Sequence, residues 1–256
     1  MKIGHYLPAI GFFALLLVMW EVSVVALDVP SIILPKLTSV VAVMAIRAPV
    51  FLSHLLATAA EVVIGFGAAI VAGAVLGTVV ASSRVLGNAI YPALIAMQVM
   101  PKVAIAPILI IWFGFGILPK VVLTALIAFF PIVINTIVGL RMTSKESIFL
   151  FRSMGATQIH TFFWLRLPNA LPVFFGGLKI SSTLATIGAV VGEFSGAEKG
   201  LGYLLTVQVG QSETAAAFGS VLYLTLLGLL VFAVVALIEH LIVPSHMLKK
   251  MGDLVG

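Results

Sequence analysis

Six stretches of this chain are long and apolar enough to cross a lipid bilayer as helices, and they leave little sequence over for anything else. A spanning helix needs about 20 mostly apolar residues. The candidates are 7–27, 55–80, 89–112, 120–140, 171–194 and 217–243. Of 256 residues, 62% are hydrophobic and 9% charged, and the mean hydropathy is +1.25. A soluble domain carries about 25% charged residues. The chain therefore reads as all-α: a polytopic membrane helix bundle of about six transmembrane helices, one domain over 1–256 with no room for a soluble nucleotide-binding domain. The first stretch follows Lys2 as a signal peptide would. It is too long for one and contains Glu21, so an uncleaved anchor helix is expected.

Charge sets the orientation. With both termini cytoplasmic, the inner segments hold Lys2, Arg84, Arg141, Lys145, Arg152, Arg166, Lys249 and Lys250. The outer segments then hold Lys36, Arg47, Lys120 and Lys199, and an excess of cations inside favours this topology. The net charge of +5 is explained by such flanking residues rather than by nucleic acid. Cysteine is absent, which excludes disulfides and thiolate metal sites. His5, His54, His160, His240 and His246 are scattered without metal-ligand spacing, and no nucleophile elbow or phosphate loop appears. The sequence predicts no catalytic group and no metal site on this chain.

Within the spans, Gly65, Ala69, Gly73 and Gly77 recur every fourth residue, so they share one helix face and allow close approach of another helix. That face serves either a sliding subunit interface or ordinary packing within one subunit. The third span carries Pro92, Pro101 and Pro107, each lacking a backbone donor. Gln98 and Lys102 flank Pro101, so a kinked, pore-lining helix and a structural kink with a snorkelling lysine are both open. Ionisable groups at membrane depth normally face a cavity, a partner or an interface. Gln98, Lys102, Asn135 and Glu193 are the candidates for a substrate pathway. Glu193 lies in Gly192-Glu193-Phe194-Ser195-Gly196, at the outer end of a span, where it either gates the mouth or is solvated. Glu61 and Glu239 lie near span ends or pair internally, and Lys179 reaches the headgroups. The segment 30–54 predicts an outer loop with a short interfacial helix.

The polar interruption 142–169 is the largest inner loop. Its residues 144–164 predict one or two short helices, divided by Gly155, where glycine permits a sharp turn. Phe149, Leu150, Phe151, Met154, Ile159, Phe162 and Phe163 supply apolar knobs, with Arg152, Thr157, Gln158 and His160 among them. An amphipathic helix lying on lipid would show a denser basic face, so a protein partner is favoured. Pro168 and Pro172 then set the start of the fifth span.

Gly155-Ala156, followed at fixed spacing by Leu165-Arg166-Leu167-Pro168, resembles the cytoplasmic loop signature of binding-protein-dependent ABC importer permeases: Glu-Ala-Ala, three residues, Gly, nine residues, Ile, any residue, Leu-Pro. Asn169-Ala170-Leu171-Pro172, Val191-Gly192-Glu193-Phe194 and Gly200-Leu201-Gly202-Tyr203 extend the likeness. With Met100-Pro101-Lys102 and Trp112-Phe113-Gly114-Phe115-Gly116, they are similar to the nitrate/sulfonate/taurine branch, which includes importers of thiamine precursors and riboflavin. The resemblance implies a type I importer fold in the bacterial inner membrane, working as a homodimer with two ATPase subunits and a periplasmic or lipid-anchored binding protein. ATP and Mg belong to the ATPase, and this chain binds no cofactor. It also implies that Phe149, Leu150, Phe151, Arg152, Gly155, Ala156, Thr157, Leu167 and Pro168 form the coupling loop. Here Phe149-Leu150-Phe151 replace Glu-Ala-Ala, so docking should rest on apolar burial more than on charge. The imported solute would be a sulfonate-, nitrate- or taurine-like anion or a vitamin precursor. The rival readings are an ion-coupled secondary transporter and a membrane-embedded enzyme.

Overall fold

The computed structural model describes residues 7–244, so Lys2, His5, His246, Lys249 and Lys250 lie outside the described residues. In order, the helices are α1 (Leu7–Ala26), α2 (Leu37–Ile46), α3 (Ala48–Ser82), α4 (Arg84–Val99), α5 (Ala106–Phe113), α6 (Ile117–Arg141), α7 (Lys145–Ser153), α8 (Gln158–Thr161), α9 (Leu167–Phe194), α10 (Leu201–Gly210) and α11 (Thr214–Ile242). A 3₁₀ turn, Lys102–Ile105, precedes α5, and a π turn, Phe162–Arg166, joins α8 to α9. No strand occurs among the described residues.

Four helices are long and apolar enough to span a membrane unaided: α3, α6, the continuous Gln158–Phe194 rod and α11. A fifth span is the pair α4 and α5, bent by 83° at their junction. The expected first span is present as the 20-residue helix α1. The third span is thus broken rather than kinked, and the three prolines differ in effect. Met100, ahead of Pro101, is driven to an extended conformation (φ −60°, ψ 131°), and α4 ends there. Pro92 stays inside α4, and Pro107 falls in the first turn of α5, where no donor is needed.

α6 is the central pillar, with Leu123, Ile132, Val133 and Ile137 almost fully buried. α3 runs parallel to it along the small-residue stripe. A Cβ added at Gly65 would lie 2.6 Å from Thr124 Cβ, and one at Gly77 would lie 2.5 Å from Thr136 Cβ. Ala69 between them is buried against the same core. Of the two roles open for the stripe, the structure shows close packing inside one subunit. Thr124 and Thr136 turn their hydroxyls back to Lys120 and Ile132 carbonyls (2.8 and 2.7 Å), so no polar group is stranded at the contact. α9 packs antiparallel on another side of α6, with Gly177 against Asn135 and Gly192 against Lys120.

Lys120 corrects the charge tally. It stands in the first turns of α6 and is turned into the bundle, not into an outer loop. The inner boundary of the fifth span also moves: the helix begins at Gln158, ahead of Pro168 and Pro172.

Candidate functional site

The segment 142–169 folds as a helical hairpin projecting past the ends of α3 and α6. Ser144 caps α7 by accepting from the Ser147 N–H at 3.2 Å, and Glu146 in the first turn suits the positive helix end. Gly155 closes α7 in the left-handed region (φ +87°), while the N–H groups of Met154 and Ala156 return to Leu150 and Phe151 carbonyls at 3.1 Å. Thr157 then caps α8 by accepting from the His160 N–H at 3.2 Å. The expected two pieces divided by glycine are therefore present, each with its own start signal.

Of the expected knobs, Phe162 packs inward against Ala81, Leu140 and Ala170 and Phe151 is half-buried, while the rest are exposed. Phe149 is 73% exposed, and Leu150, Met154, Ile159, Phe163 and Trp164 are exposed as well. Phe151, Met154, Gly155, Ala156, His160 and Trp164 line an open hollow of about 420 Å³ in the bend. Arg152 is exposed beside it. Leu167 and Pro168 are half-buried at the root, where α9 begins.

The π turn has a local cause. Pro168 lacks an N–H and its ring crowds the carbonyl four residues back, that of Trp164. The ladder relaxes to a wider spacing, with Leu167 N–H donating to the Phe162 carbonyl. At its last residue, Arg166 reaches across to the ends of two neighbouring helices, at the Leu140 and Ala81 carbonyls.

The pathway candidates do not come together. Gln98 is exposed beside the break, and its carbonyl accepts from Lys102 Nζ at 3.1 Å. The same ammonium sits 4.7 Å from the centre of the Phe130 ring. Asn135 faces Gly177 of α9 and donates to the Pro131 carbonyl at 2.8 Å. Glu193 is neither solvated nor at an open mouth: it is 1% exposed.

Glu193 belongs to a buried lattice that the sequence did not reveal. Its carboxylate accepts from Thr58 Oγ1 at 2.6 Å and from the Gly202 N–H at the start of α10. Thr58 in turn accepts from the Leu201 N–H at 2.8 Å, and His54 Nδ1 from the Gly200 N–H at 3.1 Å. Three unpaired donors of one helix start are thus satisfied by side chains of α3 and α9. Side chains at positions 200 or 202 would collide with Glu193, which explains the two glycines of Gly200-Leu201-Gly202-Tyr203. Beside this, Lys120 pairs with Glu61, which is also 1% exposed. Lys179 pairs with Glu239 at 2.7 Å rather than reaching headgroups. Outside the spans, Arg47 pairs with Glu213, and this contact holds the Glu213 carboxyl below the usual carboxylate range. The available sequence signal was spacing: two glycines seven and nine residues after an acid at a span end.

A multi-pass bundle with a buried ionic lattice and one apolar hairpin outside the spans defines an integral membrane protein. Residues 69–245 match the family model for the binding-protein-dependent transport system inner membrane component, and the chain belongs to that family of ABC importer permeases. The formylaminopyrimidine transport permease protein ThiX of Halalkalibacterium halodurans is 38% identical over 233 residues, covering 91% of this chain and 93% of that protein. The riboflavin transport system permease protein RibX of Chloroflexus aurantiacus is 38% identical over 241 residues, covering 92% and 90%. The taurine transport system permease protein TauC of Escherichia coli is 26% identical over 204 residues, covering 77% and 74%. A permease of this kind is a transport subunit and not an enzyme.

Proposed function

We propose that this chain is the membrane subunit of an ATP-driven importer in the bacterial inner membrane, with both termini cytoplasmic and residues 142–169 as the coupling loop. The loop takes its drive from two ATPase subunits, which hold the ATP and Mg. A binding protein on the opposite face, periplasmic or lipid-anchored, delivers the solute. The observation that carries this is the hairpin itself: aromatic and aliphatic knobs exposed on a capped scaffold that continues without interruption into α9. A buried apolar surface contributes roughly 25 cal/mol per Å², so Phe149-Leu150-Phe151 can dock without the acid found in the family pattern.

A second copy of the chain completes the path. Irregular backbone at membrane depth is tolerated only where protein or a water-filled cavity covers it. The break at Met100-Pro101 is exposed, with Val99 82% accessible. A homodimer that meets along α4 and α5 covers this break, and Gln98 and Lys102 then face the path. Nucleotide on one side and loaded binding protein on the other bias two packings of the bundle.

Two relatives matched at 38% over nine-tenths of the chain carry formylaminopyrimidine and riboflavin in their names. This favours a vitamin or vitamin-precursor solute over a small anion. Calorimetry of the cognate binding protein against both classes decides between them. For the loop, Gly155→Trp forces a side chain onto a left-handed residue. Uptake should be lost and the ATPase uncoupled or detached while the permease still inserts. Normal uptake by that variant removes the assignment.

A further inference from the structure

Arginines at a membrane boundary ordinarily extend toward headgroups or water. Arg141 and Arg166 instead turn back onto the bundle. Arg166 donates to the Leu140 carbonyl from Nε (3.3 Å) and Nη2 (3.2 Å), and from Nη2 to the Ala81 carbonyl at 3.5 Å. Arg141 donates from Nη2 to the Val80 carbonyl at 3.2 Å. Gly87 of α4 lies so close to the Arg141 guanidinium that a Cβ there would overlap it. Neither arginine has an acidic partner among the described residues.

The carbonyls they hold belong to the last turns of α3 and α6, which carry partial negative charge and have no partner within their own helices. A guanidinium suits them because its fork of donors can serve two carbonyls at once. The π turn brings Arg166 there. One extra residue in a helical turn rotates the chain by about 100°, and the turn itself follows from Pro168. Arg166 therefore stands on the rod that begins in the hairpin and becomes α9, while its side chain holds the ends of α3 and α6.

We propose that Arg166 is the positioning residue that transmits hairpin movement to α3 and α6, so that the loop and three spans shift as one body. This rests on the coupling reading of 142–169. Without Arg166, the hairpin would still engage an ATPase, but hydrolysis would drive the bundle far less efficiently.

The test uses the assembled transporter in proteoliposomes with its ATPase and loaded binding protein. Solute moved per ATP hydrolysed should fall roughly tenfold in Arg166→Gln, the scale of an ordinary coupling energy, with the ATPase still bound and active. Arg166→Lys should regain part of the ratio, since its ammonium reaches one carbonyl but not two. A wild-type ratio in Arg166→Gln overturns the proposal. A second measurement does not depend on that variant assembling. Spin labels at Ser82→Cys and Ser153→Cys, with Arg166 intact, should keep one separation in nucleotide-free and ATP-bound states. A change of more than about 5 Å, one helical turn, shows that the hairpin slides past α3 and overturns it too. If Gly155→Trp transports normally, the coupling reading fails. If Gly155→Trp is inactive while Arg166→Gln keeps its ratio, only this inference fails.

Discussion

Lys120 shows what one ionisable side chain does inside this bundle. It brings the only cation paired with Glu61 among the described residues, beside a second buried acid, Glu193. Removing one partner of a buried pair leaves an uncompensated charge, which costs about 3–5 kcal/mol. Lys120→Met should therefore lower the melting temperature of the detergent-solubilised protein sharply. Glu61→Gln combined with Lys120→Met should recover most of the loss, because no stranded charge then remains at that pair. An unchanged melting temperature in the single variant would place the pair in water. The pairing was only half legible beforehand. Glu61 and Glu239 stood near span ends, so internal pairing was open, but a partner 59 or 60 residues away is set by helix register, which composition does not encode.

Between elements, the small-residue stripe and the hairpin make opposite demands, one for close approach and the other for free surface. Gly77→Leu places a side chain where Thr136 already sits, and overpacking of this kind costs about 1–3 kcal/mol or more. The variant should insert but melt early, and adding Thr136→Gly should restore part of the stability. In the hairpin, Phe149→Ala should leave the fold intact, because the side chain touches little of its own chain. It should weaken ATPase association by about 2 kcal/mol, roughly thirty-fold, as for an aromatic anchor at an interface. Pull-down and titration of the purified subunits measure this. The long spans and the divided hairpin were legible because twenty-residue apolar runs, capping residues and a turn glycine are local signals. The broken third span was less so. Three prolines looked alike in sequence, yet Pro107 falls in the first turn of α5, Pro92 is absorbed within α4, and only Pro101 ends a helix. α10 escaped notice because ten residues are too few to span, and its start is fixed by Glu193, Thr58 and His54 from other helices.

For the whole molecule, the exposed break in α4 and α5 and the exposed hairpin are the two surfaces that the proposed assembly gives to different partners. In the proposed assembly a second copy covers the break. The natural sequence contains no cysteine, so Val99→Cys introduces a unique thiol there. Oxidation in native membranes should yield a covalent dimer, whereas a thiol at the exposed α11 position Val234→Cys, away from the break, should remain monomeric. Equal cross-linking at both positions would mean that the break does not form the seam. The central claim is that movement of the hairpin by ATP hydrolysis drives solute through this bundle. Its most direct test is uptake of the binding protein's ligand into proteoliposomes holding the full complex, with ATP supplied on the hairpin side. Uptake should require ATP, stop when the ATPase is inactivated, and persist when an ionophore dissipates ion gradients. Uptake that survives ATPase inactivation and collapses with the ionophore would contradict the claim.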